Sequence, residues 1–257
     1  MNIYQHFRPE EREFIDQVLS WRRTVEDSFA PKLTDFLDPR EQQIVKYVIG
    51  EDGDIKCDFF GGINHSERKR AIVAPNYFVM EKDAFQISIF EMDYPKKFIT
   101  IEHPQVLGSL MSLGIKREKF GDILINGDQI QIVVAKEINS YTQLQFTQVG
   151  RTKISLSEIP FSQAIPMNIT WLEEVETVSS LRLDSVISTI YNISRQKSQT
   201  LLAQGLVKVN FRAIEKPSFE CREYDMISIR GYGRAKISSI EGKTKKDKWR
   251  ITVGKQK

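Results

Sequence analysis

Between Leu181 and Arg230 the chain sets two short apolar stripes of helical spacing ahead of two alternating strands, an order that leaves few folds open. Leu183, Val186, Ile187 and Ile190 recur at three- and four-residue intervals and mark one face of a first helix. Ser194 is placed to cap a second helix, with Leu201 and Leu202 as its stripe and Gly205 as its stop. In the strand that follows, Val207 and Val209 are expected to face the core, and Lys208 and Asn210 to face out beside the helix pair. Arg230 ends a second strand, and Gly231-Tyr232-Gly233-Arg234 keeps backbone exposed next to it.

Arg195 and Lys197 occupy the first turn of the second helix. Cations there oppose the helix dipole at a cost of about 0.3–1 kcal/mol each. A phosphate reverses that sign, because free N–H groups, a capping hydroxyl and two cations then converge on one anion. Residues 179–257 hold 17 Lys and Arg against 7 Asp and Glu, a net charge of +10, while the rest of the chain carries −7. The overall +3 therefore hides a basic end on an acidic body, which favours a polyanion partner at one end only. Five further cations, Lys243, Lys245, Lys246, Lys248 and Arg250, cluster before a last alternation at Trp249, Ile251 and Val253.

The first 80 residues predict an α/β subdomain. Phe14, Val18, Trp21, Val25 and Phe29 follow helical spacing, and Pro9-Glu10-Glu11 suits the turn before them, with Glu10, Glu11 and Glu13 on solvent-facing positions. Asp38, Pro39 and Glu41 form a capping-box pattern ahead of Ile44, Val45 and Val48. A strand over Ile55–Phe60 is broken by Gly61-Gly62. Residues 81–163 predict strands around Phe85–Ile89, Phe98–Ile101, Ile123–Ile125 and Ile130–Val134, and helices over Pro104–Leu113 and Lys136–Leu144. Asn126-Gly127-Asp128 is a hairpin turn. The order is a variation on the ferredoxin-like plait. Residues 164–178 read as a connector, with Ile169, Trp171 and Val175 spaced for a strand, and 179–257 as the basic C-terminal domain. The fold class is thus α+β.

Arg182-Leu183-Asp184, Ser194-Arg195-Gln196-Lys197-Ser198, Gly205–Asn210, Lys216-Pro217-Ser218 and Asp225–Arg230, in that order and spacing, resemble the S-four domain, an RNA-binding module named after the fourth protein of the small ribosomal subunit. The resemblance nominates Arg182, Ser194, Arg195, Lys197, Ser198, Lys208, Asn210 and Arg230 as contacts to folded RNA. Arg182 and Asp184 also have a plainer reading, as a pair or cap at the first helix. In the body, Gly61-Gly62, Glu67–Arg70, the run Leu107–Leu124 and Gly150-Arg151-Thr152 resemble the bacterial YlmH proteins. That resemblance implies an RNA-binding plait before the S-four domain, association with the large ribosomal subunit and with stalled, peptidyl-tRNA-bearing subunits, and an alternative, division-related role. Two further cationic groups are candidates for RNA: Arg68, Lys69 and Arg70, which also fit an ordinary charged loop, and Lys116, Arg117 and Lys119, which sit in a basic turn after a Gly114 helix stop.

S-four domains also accompany pseudouridine synthases and RNA methyltransferases, which makes an RNA-modifying enzyme the alternative reading. The Arg182–Asp184 triplet lies inside the binding module rather than in a catalytic domain, and no GxGxxG follows a strand. His6, His65 and His103 lack the spacing of a metal site or triad, and Cys57 and Cys221 are too few for a disulfide framework. No apolar run reaches the ~20 residues of a membrane span, and Met1–Arg12 is too polar for a secretory signal. The expectation is a cytoplasmic, monomeric, non-catalytic protein without cofactor or metal that binds ribosomal RNA, with tRNA close by.

Overall fold

The computed structural model describes residues 3–50, 53–167 and 170–256, in two compact units, Met1–Met167 and Asn168–Lys257. In the first unit, α1 (Arg12–Ser28) buries Ile15, Val18 and Val25, as its periodicity demands. Phe29 ends it in the left-handed conformation and is 71% exposed, so it is the cap and not the last core position. The turn Pro9–Glu11 precedes it, and here one expectation fails. Glu11 is buried, accepting from the Arg8 N–H and from Arg40 Nε at 2.7 Å.

Strand β1 (Lys32–Leu37) leads into α2 (Pro39–Ile49), then β2 (Ile55–Phe60) and β3 (Lys69–Pro75). The capping box at α2 is present in full: Asp38 Oδ1 accepts from the Glu41 N–H at 2.9 Å, and Glu41 Oε2 from the Asp38 N–H at 2.8 Å. The three strands form an antiparallel sheet with β3 in the centre. Ala71 and Val73 of β3 face α1 and α2, while Ile72 and Ala74 face the opposite way.

The plait follows as β4 (Ile87–Asp93), α3 (His103–Met111), β5 (Phe120–Asn126), β6 (Gln129–Ala135), α4 (Asn139–Gln145), a small hairpin of β7 (Gln148–Val149) and β8 (Thr152–Lys153), and β9 (Ser155–Ile159). Its sheet runs β5-β6-β4-β9, all antiparallel, which is the ferredoxin-like order. Gly127, at φ 61°, closes the β5–β6 hairpin as expected. Phe98–Ile101 is not a strand. Pro95 supplies no N–H, the chain turns through bonds from the Lys96 N–H to Tyr94 O and from the Phe98 N–H to Pro95 O, and Phe98 is 86% exposed.

Both faces of the plait sheet are covered. Phe90, Met92, Ile130, Ile132 and Val134 pack against Val106, Leu110 and Phe146 of the α3 and α4 side. On the other face Ile87, Ile89, Leu124 and Val133 share one core with Phe36, Ile72 and Ala74 of the first sheet. Gly121 shows how close that packing is, since a Cβ there would lie 2.9 Å from Phe36 Cε1. Residues 1–80 and 81–163 therefore interlock within a single compact unit.

The second unit has one antiparallel sheet built from β10 (Trp171–Val178), β11 (Val207–Val209), β12 (Arg212–Ala213), β13 (Met226–Ile229), β14 (Gly233–Lys243) and β15 (Trp249–Gln256). Its spatial order is β10-β15-β14-β13-β11-β12. Helices α5 (Leu183–Ile190) and α6 (Arg195–Ala203) cover one face, burying Leu183, Val186, Ile187, Leu201 and Leu202 against Val207, Ile227, Ile237 and Ile251. Trp171 and Val175 of the expected connector lie in β10, which joins this sheet; Ile169 is outside the described residues.

Candidate RNA interface

The two helices of the second unit meet at one carboxylate. Asp184, in the first turn of α5, is fully buried and accepts from Arg182 Nε at 3.1 Å, Arg195 Nε at 3.0 Å and Gln199 Nε2 at 2.9 Å. Burial pushes the Asp184 carboxyl up, but the bonds from Arg182, Arg195 and Gln199 outweigh it and hold the group well below the usual carboxylate range. Its plainer reading, as a pairing residue, is the one the geometry carries. The arrangement also removes the dipole penalty expected of Arg195, because that guanidinium is half neutralised beside the helix start rather than opposed to it. Two half-exposed guanidinium groups are thereby fixed side by side, sharing one negative charge.

Ser194 caps α6 as expected, its Oγ accepting from the Lys197 N–H at 3.1 Å. Ser194, Arg195 and Lys197 all face solvent. Ser198 does not. It is fully buried against α5, and its hydroxyl donates back to Ser194 O, so it is a packing residue of the helix crossing. Asn210 is likewise withdrawn from the surface: at φ 48° it turns the chain after β11, donates to Asp225 Oδ1 at 2.8 Å and accepts from the Met226 N–H at 2.9 Å. Both were expected to touch RNA, and both instead close internal hydrogen bonds.

Lys208 and Arg230 are exposed. The β11–β13 register pairs Lys208 with Ser228 on the sheet face opposite the α5–α6 core, and Arg230 begins the turn just after β13 ends. Ser228 pairs in turn with Arg234, and Met226 with Lys236, so the same face continues with two cations that the strand pattern by itself did not nominate. Arg234 lies over the Phe211 ring at 5.6 Å. Period-two alternation from Arg234 to Lys236 was the sequence signal that could have found them.

The body candidates resolve differently. Arg68 and Arg70 are buried, not part of a surface patch. Arg68 Nη2 donates to Phe36 O at 2.9 Å; Arg70 donates to Thr34 O and Gln86 O and pairs with Glu137 at 3.0 Å. Lys69 begins β3 and is half-buried. Arg117 donates to the Phe120 and Gly121 carbonyls, and burial, with the nearby Arg68 charge, lowers its pKa to about 10. Lys119 bridges Asp35 at 2.5 Å and Glu137 at 3.0 Å. Of these six, Lys116 alone is exposed. The cations that looked available for RNA are mainly the internal ties between the first sheet and the plait.

Asp122 is the matching anion. It accepts from the Glu67 and Arg68 N–H groups at 2.7 and 3.1 Å, and burial raises its pKa to about 6 against the pull of those bonds. With both sheet faces covered, the plait has no open surface on which bases could stack as they do on common RNA-recognition sheets. Among the described residues no group of three His, Cys, Asp or Glu is placed to hold a metal ion. His65 lies exposed in the β2–β3 loop at φ 60°, and among the described residues no helix is long and apolar enough to cross a membrane.

Comparison with known proteins gives three family matches along the chain. Residues 10–78 match the model of the YlmH N-terminal region, 80–163 the model described as "Putative RNA-binding domain in YlmH", and 181–227 that of the S4 domain. A Bacillus subtilis (strain 168) protein named "Ribosome-associated protein quality control protein P2" is 48% identical over 257 residues, covering 100% of this chain and 99% of its own. A solved structure, "Cell division protein ylmH from Streptococcus pneumoniae", aligns at a TM-score of 0.55 and 36% identity over 64% of this chain and 99% of its own. The chain belongs to the YlmH family and ends in an S4 domain.

Proposed function

We propose that the protein is a non-catalytic RNA-binding factor that grips ribosomal RNA of the large subunit, beside tRNA, during the quality control of stalled translation complexes. The observation that carries this reading is the pair Arg182 and Arg195, clamped on buried Asp184 at the capped start of α6 with Lys197 next in line. Preset guanidinium groups lose little freedom on meeting a phosphate and bind it bidentately. Lys208 on the sheet and Arg230 in the turn after β13 add charge. The relative's name, which ties that protein to ribosome-associated quality control, supports the choice of RNA. The protein acts in the cytoplasm as a monomer and by occupancy, without cofactor. An RNA-modifying enzyme is the weaker reading.

Sedimentation of cell extract through a sucrose gradient tests the proposal. Wild-type protein co-migrates with large subunits, and Arg195→Ala/Lys197→Ala moves it to the light fractions. Wild-type protein confined to the light fractions would instead favour a division-site interaction protein, in keeping with the name of the Streptococcus pneumoniae relative. A ribosomal RNA base modification lost on deletion and restored by purified protein would establish the enzyme reading.

A further inference from the structure

The longest hairpin of the second unit carries charge that the α6 site does not use. β14 stays paired with β13 only as far as Met226↔Lys236, but with β15 out to Lys243↔Trp249. β10 accompanies β15 to its first residue, through Val178↔Trp249. The turn at residues 244–248 therefore stands at the end of an arm, beyond the last paired residues. Arg182 follows Val178 by four residues, a stretch that spans at most about 14 Å. The turn and the Arg182–Arg195 pair thus lie toward the same end of the domain.

Lys243, Lys245, Lys246, Lys248 and Arg250 are all exposed. Asp247 is the one carboxylate in the turn, and Lys243 takes it at 2.6 Å. Lys245, Lys246, Lys248 and Arg250 make no ion pair among the described residues. This is not a loose charged tail. The Thr244 N–H donates to Lys248 O, the Asp247 N–H to Thr244 O and the Lys248 N–H to Thr244 Oγ1, while Asp247 closes the turn at φ 56°. Lys243 lies over the Trp249 ring at 5.6 Å. A built turn keeps these exposed like charges on one short segment, where their screened repulsion is relieved by a bound anion.

We infer that the β14–β15 turn is a second phosphate-binding site, which takes the backbone of the same folded RNA that the α6 site grips. The inference rests on the RNA-binding reading above. A tip with five exposed cations and a single carboxylate, itself paired with Lys243, favours an anion over an apolar peptide side chain, and a row of phosphates presents repeated charge to just such a surface. The segment lies past the stretch that matches the S4 domain, which ends at residue 227.

The test uses the full chain and a fluorescein-labelled RNA stem-loop titrated over a range of KCl concentrations. Lys245→Ala/Lys246→Ala/Lys248→Ala is expected to bind about ten-fold more weakly near 0.1 M salt and to lower the salt slope by roughly two to three, one for each lost phosphate contact. A charge-matched control in the other unit and outside residues 80–163, Arg12→Ala/Arg23→Ala/Lys32→Ala, all exposed positions, is expected to bind as wild type; an equal loss there would overturn the inference, reducing the effect to net charge. Wild-type binding by the turn variant while Arg195→Ala/Lys197→Ala loses affinity would sink the second site and leave the RNA-binding reading standing. Loss in the turn variant with no effect of the α6 change would support the turn and remove α6. A wild-type chain that ignores the stem-loop but binds phosphatidylglycerol vesicles or an acidic peptide would overturn both.

Discussion

Arg195 Nε reaches Asp184 Oδ2 at 3.0 Å across eleven residues of chain, joining the start of α6 to the start of α5. One buried carboxylate thereby fixes the crossing of the two helices and aims the cation that the RNA-binding reading needs. Stability and recognition depend on the same bond, and separating them is the first experimental task.

Asp184→Asn keeps one accepting oxygen but removes the shared negative charge and replaces the other oxygen with an NH2 that faces the donors Arg182, Arg195 and Gln199. We expect a loss of about 1–3 kcal/mol, read by urea denaturation at pH 7. Because the Asp184 carboxyl is held below its ordinary range, its contribution is complete above the unfolded value of about 4 and disappears as pH falls below it. Wild-type stability is therefore expected to drop more steeply than that of Asp184→Asn below about pH 4; parallel curves would show that the bonds contribute nothing.

Asp122 has the opposite sign. Its folded pKa of about 6 exceeds the unfolded value, so its contribution is greatest below pH 4 and is lost as pH rises to 6. Relative to Asp122→Asn, which does not titrate, the wild type is expected to lose up to about 3 kcal/mol between pH 4 and pH 6.5. Matched melts across that range check it, and carboxyl titration by NMR gives the pKa directly.

Asn210→Ala distinguishes a turn residue from an RNA contact. It strips a partner from Asp225 and from the Met226 N–H and puts alanine at a positive φ, at a cost of about 1–3 kcal/mol. RNA affinity of the folded fraction is expected to stay at the wild-type level. A ten-fold weaker complex at unchanged stability would restore Asn210 to the interface.

Gly121→Ala tests whether the first sheet closes over the plait. The new methyl meets Phe36 Cε1 at 2.9 Å and Val133 Cβ at 3.0 Å, so overpacking is expected to cost about 1–3 kcal/mol. Paired with Phe36→Leu, which makes room, the loss is expected to be less than additive. Additive losses would mean that the two sites do not touch.

The features legible in the sequence are those whose causes lie within a few residues. The Asp38 capping box, the Ser194 cap, the Gly127 turn and the stripes of α1 and α5 each join neighbours three or four positions apart, and local geometry dictates them. The charge division between body and C-terminal domain is equally a property of the chain alone. Strand β3 escaped because it is buried on both faces, so Ala71-Ile72-Val73-Ala74 shows no alternation to read, and Lys69 and Arg70 head it. The fates of Arg68, Arg70, Ser198, Asn210 and Glu11 were decided by tertiary packing. Arg70 meets Glu137 67 residues away, Arg68 meets Phe36 at 32, and Glu11 meets Arg40 at 29. A cation looks the same in sequence whether it faces water or a distant carboxylate. Only when the sheets close is it settled which charges are spent inside the fold, as Arg70 and Arg117 are, and which stay exposed to solvent, as Lys197 and Lys208 do.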